Sequence, residues 1–444
     1  MDAFLPTPKN TLTQEIQYLT FLSDIKLIKR GIWFYFLLLI FEGALRKWFL
    51  PGLAGPLLIV RDPLALWLIV FAWQRKLLPV NFFLSMAIFI GTISISTALL
   101  AGHGNLLVAL FGARILLIHF PLIFVIGAVF TFEDVVDIGK AMLWISIPMA
   151  ILIALQFNSP QSAFVNWGVG ADIEGGGFSG ALGYFRPSGT FSFTNGTTAY
   201  FAFLSCYVIY FWLNPQINRI LLIASTFALL IAIPLSISRS LFFQVGCTVV
   251  FAILAVSRKP KYLGKMVFAL IGIISVLLTL NSITVFQTAS EAFLARYDAA
   301  DVNGTGVEGL LLDRFLGGLA GDLFKSTETP FWGYGIGMGS NVGSQLLVGD
   351  LQYLIAEGEW GRLVGELGAF LGISLIIVRV GLSIKLAFKS YSALLKGNFL
   401  PWMLLSYGAI ILAQGPWAQP TSLGFTIVMV GLIIASLNQS PDRE

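Results

Sequence analysis

The chain has 444 residues, of which 57% are hydrophobic and only 11% charged, with a formal net charge of +4. A soluble globular protein carries about a quarter charged residues, so this composition excludes a cytosolic enzyme, a disordered protein and a nucleic-acid binder. The two cysteines, Cys206 and Cys247, sit in apolar runs and exclude a disulfide framework, while two histidines, His103 and His119, leave little room for a histidine-based metal site.

The fold class that follows is all-α: a single polytopic membrane domain over residues 1–444. The first thirty residues are polar to mixed and do not read as a cleavable signal peptide. Crossing a bilayer core of about 30 Å takes about 20 mostly apolar residues, and helices satisfy their own backbone in lipid. Twelve spans are expected, near 32–49, 57–73, 82–100, 106–130, 139–157, 196–213, 219–237, 240–257, 266–285, 361–378, 399–415 and 421–437. Two stretches are too polar to cross: 158–195, rich in Gly and Ser, and 286–360, with an amphipathic piece from Gly309 to Phe324.

The positive-inside rule orients these spans. With both termini in the cytoplasm, the inner loops collect Lys26, Lys29, Arg30, Arg75, Lys76, Arg258, Lys259, Lys261, Lys265, Arg379, Lys385, Lys389 and Lys396, and both long loops become extracytoplasmic. Trp33 and Trp73 near span ends read as interfacial anchors. Asp134 and Asp137 read as a solvated loop, not a metal site.

Other basic residues fall in outer halves of spans or in outer loops: Arg46, Lys47, Arg61, Arg114, Arg186, Arg239, Arg296, Arg314 and Arg362. An ionisable group at mid-span costs at least about 2.5–3.5 kcal/mol, so each needs a partner or a watery cavity. The planar fork of arginine suits phosphate oxygens; an outward-facing site for an anionic, phosphorylated ligand is one reading. Structural ion pairs are the other: Glu42 and Arg46 share a helical face, Arg61 adjoins Asp62, and Arg114 lies about 140° from His119 on an α-helix.

Four segments add chemistry. Arg186 heads Arg186-Pro187-Ser188-Gly189-Thr190-Phe191, with Asn195 opening the next span; small residues let backbone N–H groups approach a phosphate or sugar near a helix N-terminus. Arg239 lies in the tight turn Ser236-Ile237-Ser238-Arg239-Ser240. Pro330 to Gly339 alternates glycines without a phosphate-loop signature. Glu359, Arg362 and Glu366 then recur at helical spacing, with Glu357 just before them and Leu367-Gly368 just after.

In this order, Arg186 with Ser188-Gly189-Thr190-Phe191 and Asn195, Ser238-Arg239-Ser240, Pro330 through Gly337 and Glu366-Leu367-Gly368 resemble the O-antigen ligase and O-antigen polymerase superfamily of bacterial envelope proteins. The likeness covers about 186–370; the first five spans match only in hydrophobic character. It implies an inverting glycosyl transfer that needs neither metal nor cofactor, at the outer face of the inner membrane. The donor it implies is a glycan on a polyprenyl diphosphate, and the acceptor is another glycan or a lipid core. Arg186 and Arg239, with Arg362 and Arg114 behind them, would bind the diphosphate, and Arg239 would stabilise the departing charge. Ligases of the family carry a histidine nine residues before the Glu of Glu-Leu-Gly. Here Glu357 holds that place and the loop has no histidine; either Glu357 or Glu359 would serve as general base or the base role is dispensable in this branch, and a polysaccharide polymerase is favoured over a lipid-core ligase.

Two other classes compete. A secondary transporter also has many spans, glycines and intramembrane charges, but no internal repeat stands out. A non-enzymatic scaffold for envelope-assembly partners would leave the arginines without a ligand.

Overall fold

The structure is a computed structural model that describes residues 12–174, 176–214, 216–257, 264, 280, 282–301, 329–349, 354–355 and 358–438. Among these, eight helices are long and apolar enough to cross a membrane, and two more apolar helices are shorter. The chain is an all-α multi-pass membrane protein.

Helix α1 (Leu12–Ala44) runs into a π-helical turn, Leu45–Phe49. Then come α2 (Arg61–Gln74), α3 (Phe82–Leu100) and α4 (Leu106–Arg114), the last joined to α5 (Phe120–Val129) by a second π turn, Ile115–His119. Helix α6 (Phe132–Asn158) opens on a capping box in which Thr131 and Asp134 exchange hydrogen bonds; Asp134 also pairs with Lys29 at 2.5 Å. The two acids expected to be a solvated loop therefore start a helix.

The Gly- and Ser-rich stretch 158–195 is not structureless. It holds a hairpin of β1 (Phe178–Ala181) and β2 (Tyr184–Arg186), with Phe178 opposite Arg186. Its two-residue turn, Leu182-Gly183, has both φ angles positive (52° and 80°), as a primed turn requires. Helices α7 (Thr194–Leu213), α8 (Arg219–Leu235) and α9 (Arg239–Ser257) follow. The expected span 266–285 and the piece Gly309 to Phe324 lie largely or wholly outside the described residues. The expected second loop opens inside a helix, α10 (Thr284–Asp301), and contains α11 (Asn341–Val348).

The helix written α12 (Glu359–Leu395) is two arms. Gly368 between them has φ 76° and ψ 171°. A straight helix would separate Glu359 from Arg379 by about 30 Å, yet their side chains meet at 2.5 Å. A Cβ on Gly372 would stand 2.8 Å from the carbonyl oxygen of Leu363. The 359–367 arm therefore folds back along the 369–395 arm. Arg379, expected in a cytoplasmic loop, is instead fully buried within the second arm.

Helices α13 (Leu400–Gln414) and α14 (Pro420–Leu437) complete the bundle. Helix α12 packs on α13, α13 on α14, α14 on α5, and α6 on α8. A small polar seam, in which Ser406 bonds Thr248 (3.0 Å) and Thr248 meets Ser205 (3.2 Å), joins α13, α9 and α7, as expected where lipid removes the hydrophobic drive between helices.

The fold-back rests on Gly368. Its positive φ excludes ordinary side chains, and a Cβ there would fall 2.0 Å from the carbonyl oxygen of Phe331. Gly368→Ala should lose more than about 2 kcal/mol of stability, seen as a lower melting temperature in detergent. Gly246→Ala, whose Cβ would meet nothing within 4 Å, should lose none.

Candidate functional site

Residues 415–419 join α13 to α14 at one end of the bundle. Arg379 organises this turn. Its guanidinium donates to the carbonyls of Leu412 (2.9 Å) and Gly415 (2.7 Å) and lies 3.8 Å from the centre of the Trp417 ring. Gln419 accepts a hydrogen bond from Asn195 at the start of α7, and Pro420 O accepts one from Arg61 at 2.8 Å.

Arg379 shares Glu359 with Arg362. Arg362 Nε and Nη2 donate to the two oxygens of Glu359, both at 2.9 Å, and Nη1 donates to Glu366 at 2.6 Å. The four side chains carry two charges of each sign and are all buried. Glu366 also accepts from Gly339 N at 2.8 Å. The helical face shared by Glu359, Arg362 and Glu366 is thus a self-contained salt-bridge cluster. The guanidinium of Arg362 and both carboxylate oxygens of Glu359 are engaged inside the cluster, which suits both to positioning more than to phosphate binding or proton abstraction. Glu357 lies outside the described residues.

The glycine-rich 330–339 segment docks on the break in α12. Tyr334 N and Gly335 N donate to the carbonyls of Gly365 (2.8 Å) and Glu366 (3.0 Å), acceptors that the reversal at Gly368 takes out of the helical ladder. His103 N bonds Tyr334 O at 3.0 Å, and Gly337 presses on Gly112 of α4. The alternating glycines therefore serve close backbone packing.

Arg114 also has a carboxylate partner. Its Nη1 reaches both oxygens of Asp62, at 2.7 and 2.8 Å, and His119 Nε2 meets Asp62 Oδ1 at 2.8 Å. A carboxylate only accepts, so Nε2 carries the imidazole proton and Nδ1 accepts from the Tyr35 hydroxyl at 3.1 Å. The α-helical offset between Arg114 and His119 does not apply because the π turn bonds Phe120 N to Ile115 O, five residues back, and brings residues five apart onto one face. The expected Arg61–Asp62 pair does not form either, since consecutive residues face apart. Arg61 bonds Glu42 at 3.0 Å instead, and Glu42 keeps its expected partner Arg46 at 3.5 Å.

The loop after Arg186 is held from below. Lys47, fully buried, donates to Ser188 Oγ (3.0 Å) and Gly189 O (2.7 Å), and Arg46 donates to Ser192 Oγ (3.0 Å). Thr190 Oγ1 bonds Ile40 O at 2.6 Å, and Gln156 accepts from Gly189 N at 2.7 Å. The loop crosses α1 at Gly43, where a Cβ would fall 2.3 Å from Ser192 N. Lys47 and Gln156 are the residues that sequence reasoning passes over as ligands of this loop; the buried charge of Lys47 was the available signal.

Above the loop, three basic segments meet. Ile237 adopts φ 44°, a costly conformation for a β-branched residue, and its side chain lies against Gly180 of the hairpin, beside the stem of Arg186. Arg296 of α10 donates to Ile237 O at 3.2 Å, and Ser238 bonds Thr198 of α7 at 3.0 Å. Arg239 opens α9 two residues beyond Ile237. Arg186, Arg239 and Arg296 thus surround one strained turn. Of the four expected diphosphate ligands, the fold gathers Arg186 and Arg239 here and commits Arg114 and Arg362 to carboxylates elsewhere. Among the described residues no group of three or more His, Cys, Asp or Glu side chains could hold a metal ion. No family model, curated protein or solved structure matches this chain.

Removing one member of the buried cluster should strand the others. Glu359→Ala should cost about 3–5 kcal/mol, and Arg379→Met a similar amount. Because both remove the same contact, the double variant should lose less than the sum. Unfolding in detergent across the double-mutant cycle checks this, and simple additivity would refute the shared contact.

Proposed function

We propose that the chain is a membrane glycosyltransferase that takes glycan from a polyprenyl diphosphate at the outer face of the bacterial inner membrane and polymerises polysaccharide repeat units. The reading includes twelve spans, cytoplasmic termini and extracytoplasmic 158–195 and 286–360 segments. The observation that carries it is the meeting of the Arg186 hairpin, the Arg239 turn and Arg296 over a loop of Ser, Gly and Thr. That assembly brings three guanidinium-bearing segments to one turn, and the planar fork of arginine suits the oxygens of a diphosphate.

In this mechanism an acceptor hydroxyl attacks the anomeric carbon from the face opposite the diphosphate, and the bond to the diphosphate oxygen breaks with inversion. Arg186 and Arg239 hold the diphosphate and stabilise the charge developing on its departing oxygen, the electrostatic role that a metal ion fills elsewhere. Glu357 is the general base of this scheme, at the position where ligases of the resembled family carry histidine. Arg362, Glu359 and Arg114 position the walls. With a lipid core as acceptor the same chemistry makes the chain a ligase.

A secondary transporter is the second reading, favoured by the broken helix at Gly368 and by the intramembrane Tyr35–His119–Asp62 chain. Purified protein in liposomes with a polyprenyl-diphosphate-linked glycan separates the two. Arg239→Ala and Arg186→Ala should each lower transfer about 10²–10³-fold, and chelation by EDTA should leave the rate unchanged. Undiminished transfer in both variants would overturn the arginine roles; accumulation of intact lipid-free solute without glycosyl transfer would favour the transporter.

A further inference from the structure

A cavity of about 420 Å³ opens at the other end of the bundle, and the proposed glycosyl transfer makes no use of it. Helix α14 starts beside Arg61 and runs for 18 residues, about 27 Å, before Leu437 reaches the cavity wall. The cavity is therefore separated from the arginine-lined turn by most of a bilayer core. Its inner walls are apolar, with Phe124, Leu382 and Ile434 among them.

The rim carries Lys76, Lys385 and Lys389, and no acidic side chain lines the cavity. Among the described residues none of the three lysines forms an ion pair, although Arg75 next to Lys76 pairs with Asp24 at 3.0 Å. Lys385 and Lys389 lie four apart on one face of α12, a like-charge placement that is unfavourable without an anion. Lys76 is presented from a residue with φ 59°, which turns the chain back over the end of α2. Trp73, 68% exposed on the preceding turn, is placed as an interfacial ring.

We infer that this cavity is a binding site for an anionic glycerophospholipid. The three ammonium groups take the phosphate diester at the level of the headgroups, and the apolar crevice between α1, α5, α12 and α14 takes the first part of an acyl chain. Basic pockets between spanning helices recognise anionic headgroups in this way. A free phosphate would use the lysines and leave the crevice empty, so the crevice points to the lipid as the source of the phosphate.

The test uses the full chain in neutral detergent, with bound lipid counted by native mass spectrometry. Phosphatidylglycerol should be retained in preference to phosphatidylcholine of the same chains. Each Lys→Gln change should weaken retention about fivefold, and K76Q/K385Q/K389Q together on the order of a hundredfold. All three side chains are exposed, so an unchanged melting temperature will accompany the loss. Equal retention of the two lipids, or a triple variant that keeps phosphatidylglycerol like the parent, would overturn the site. Displacement of the lipid by millimolar inorganic phosphate would instead assign the lysines to free phosphate and overturn the lipid. None of these outcomes depends on glycosyl transfer.

Discussion

Arg379 is the residue on which the bundle end depends, and the reason lies in the shortness of α13. That helix has 15 residues, about 22 Å, and stops short of a full bilayer core. Its last carbonyls end where water is scarce, and an unsatisfied carbonyl in hydrocarbon costs several kcal/mol. The guanidinium of Arg379 supplies donors to two of them, and Glu359 neutralises the charge so introduced. Bringing Glu359 to that depth requires the chain to double back at Gly368. The fold-back, the 415–419 turn and the docking of the 330–339 segment are thus consequences of one helix ending early.

The charged residues at this end fall into two kinds. One kind is internally balanced: Glu359 and Glu366 with Arg362 and Arg379, or Asp62 with Arg114 and His119. Such clusters fix geometry and pay for burial by pairing. The other kind comprises Arg186, Arg239 and Arg296, which come from three separate elements to the strained turn at Ile237. The carboxylate-paired clusters lie within and between helices, and the arginine-bearing segments lie at the hairpin and the turn before α9.

Much of the helical content was legible because a run of twenty apolar residues has few alternatives in lipid. Nine of the expected spans coincide with described apolar helices, including Phe82–Leu100 and Thr194–Leu213, and a tenth, 361–378, falls on the helix that Gly368 breaks. What was not legible depended on a single backbone angle or on distant partners. The run 361–378 reads as one straight span, so Arg379 is assigned to a loop; only the positive φ of Gly368 inside that run turns it into the partner of Glu359. Pairing of Arg61 with Glu42, of Lys47 with Ser188 and of Asn195 with Gln419 joins residues 19 to 224 positions apart, and no local spacing rule reaches that far. The motifs around Arg186 and Arg239 were visible as short polar interruptions, and their meeting was not.

The two π turns, Leu45–Phe49 and Ile115–His119, both occur where charged side chains enter the bundle. A π turn is in effect a one-residue insertion into an α-helix. Across Ile115–His119 the face presented by α4 is offset by about 100° from what a helical wheel drawn through α5 would give. The same apolar sequence thereby presents Arg114 and His119 to one carboxylate while keeping lipid-compatible residues on either side. Loss of a single residue from this turn would leave composition and hydropathy almost untouched and would swing the imidazole away from Asp62. In such a chain, length polymorphism of one residue is a more drastic change than most substitutions.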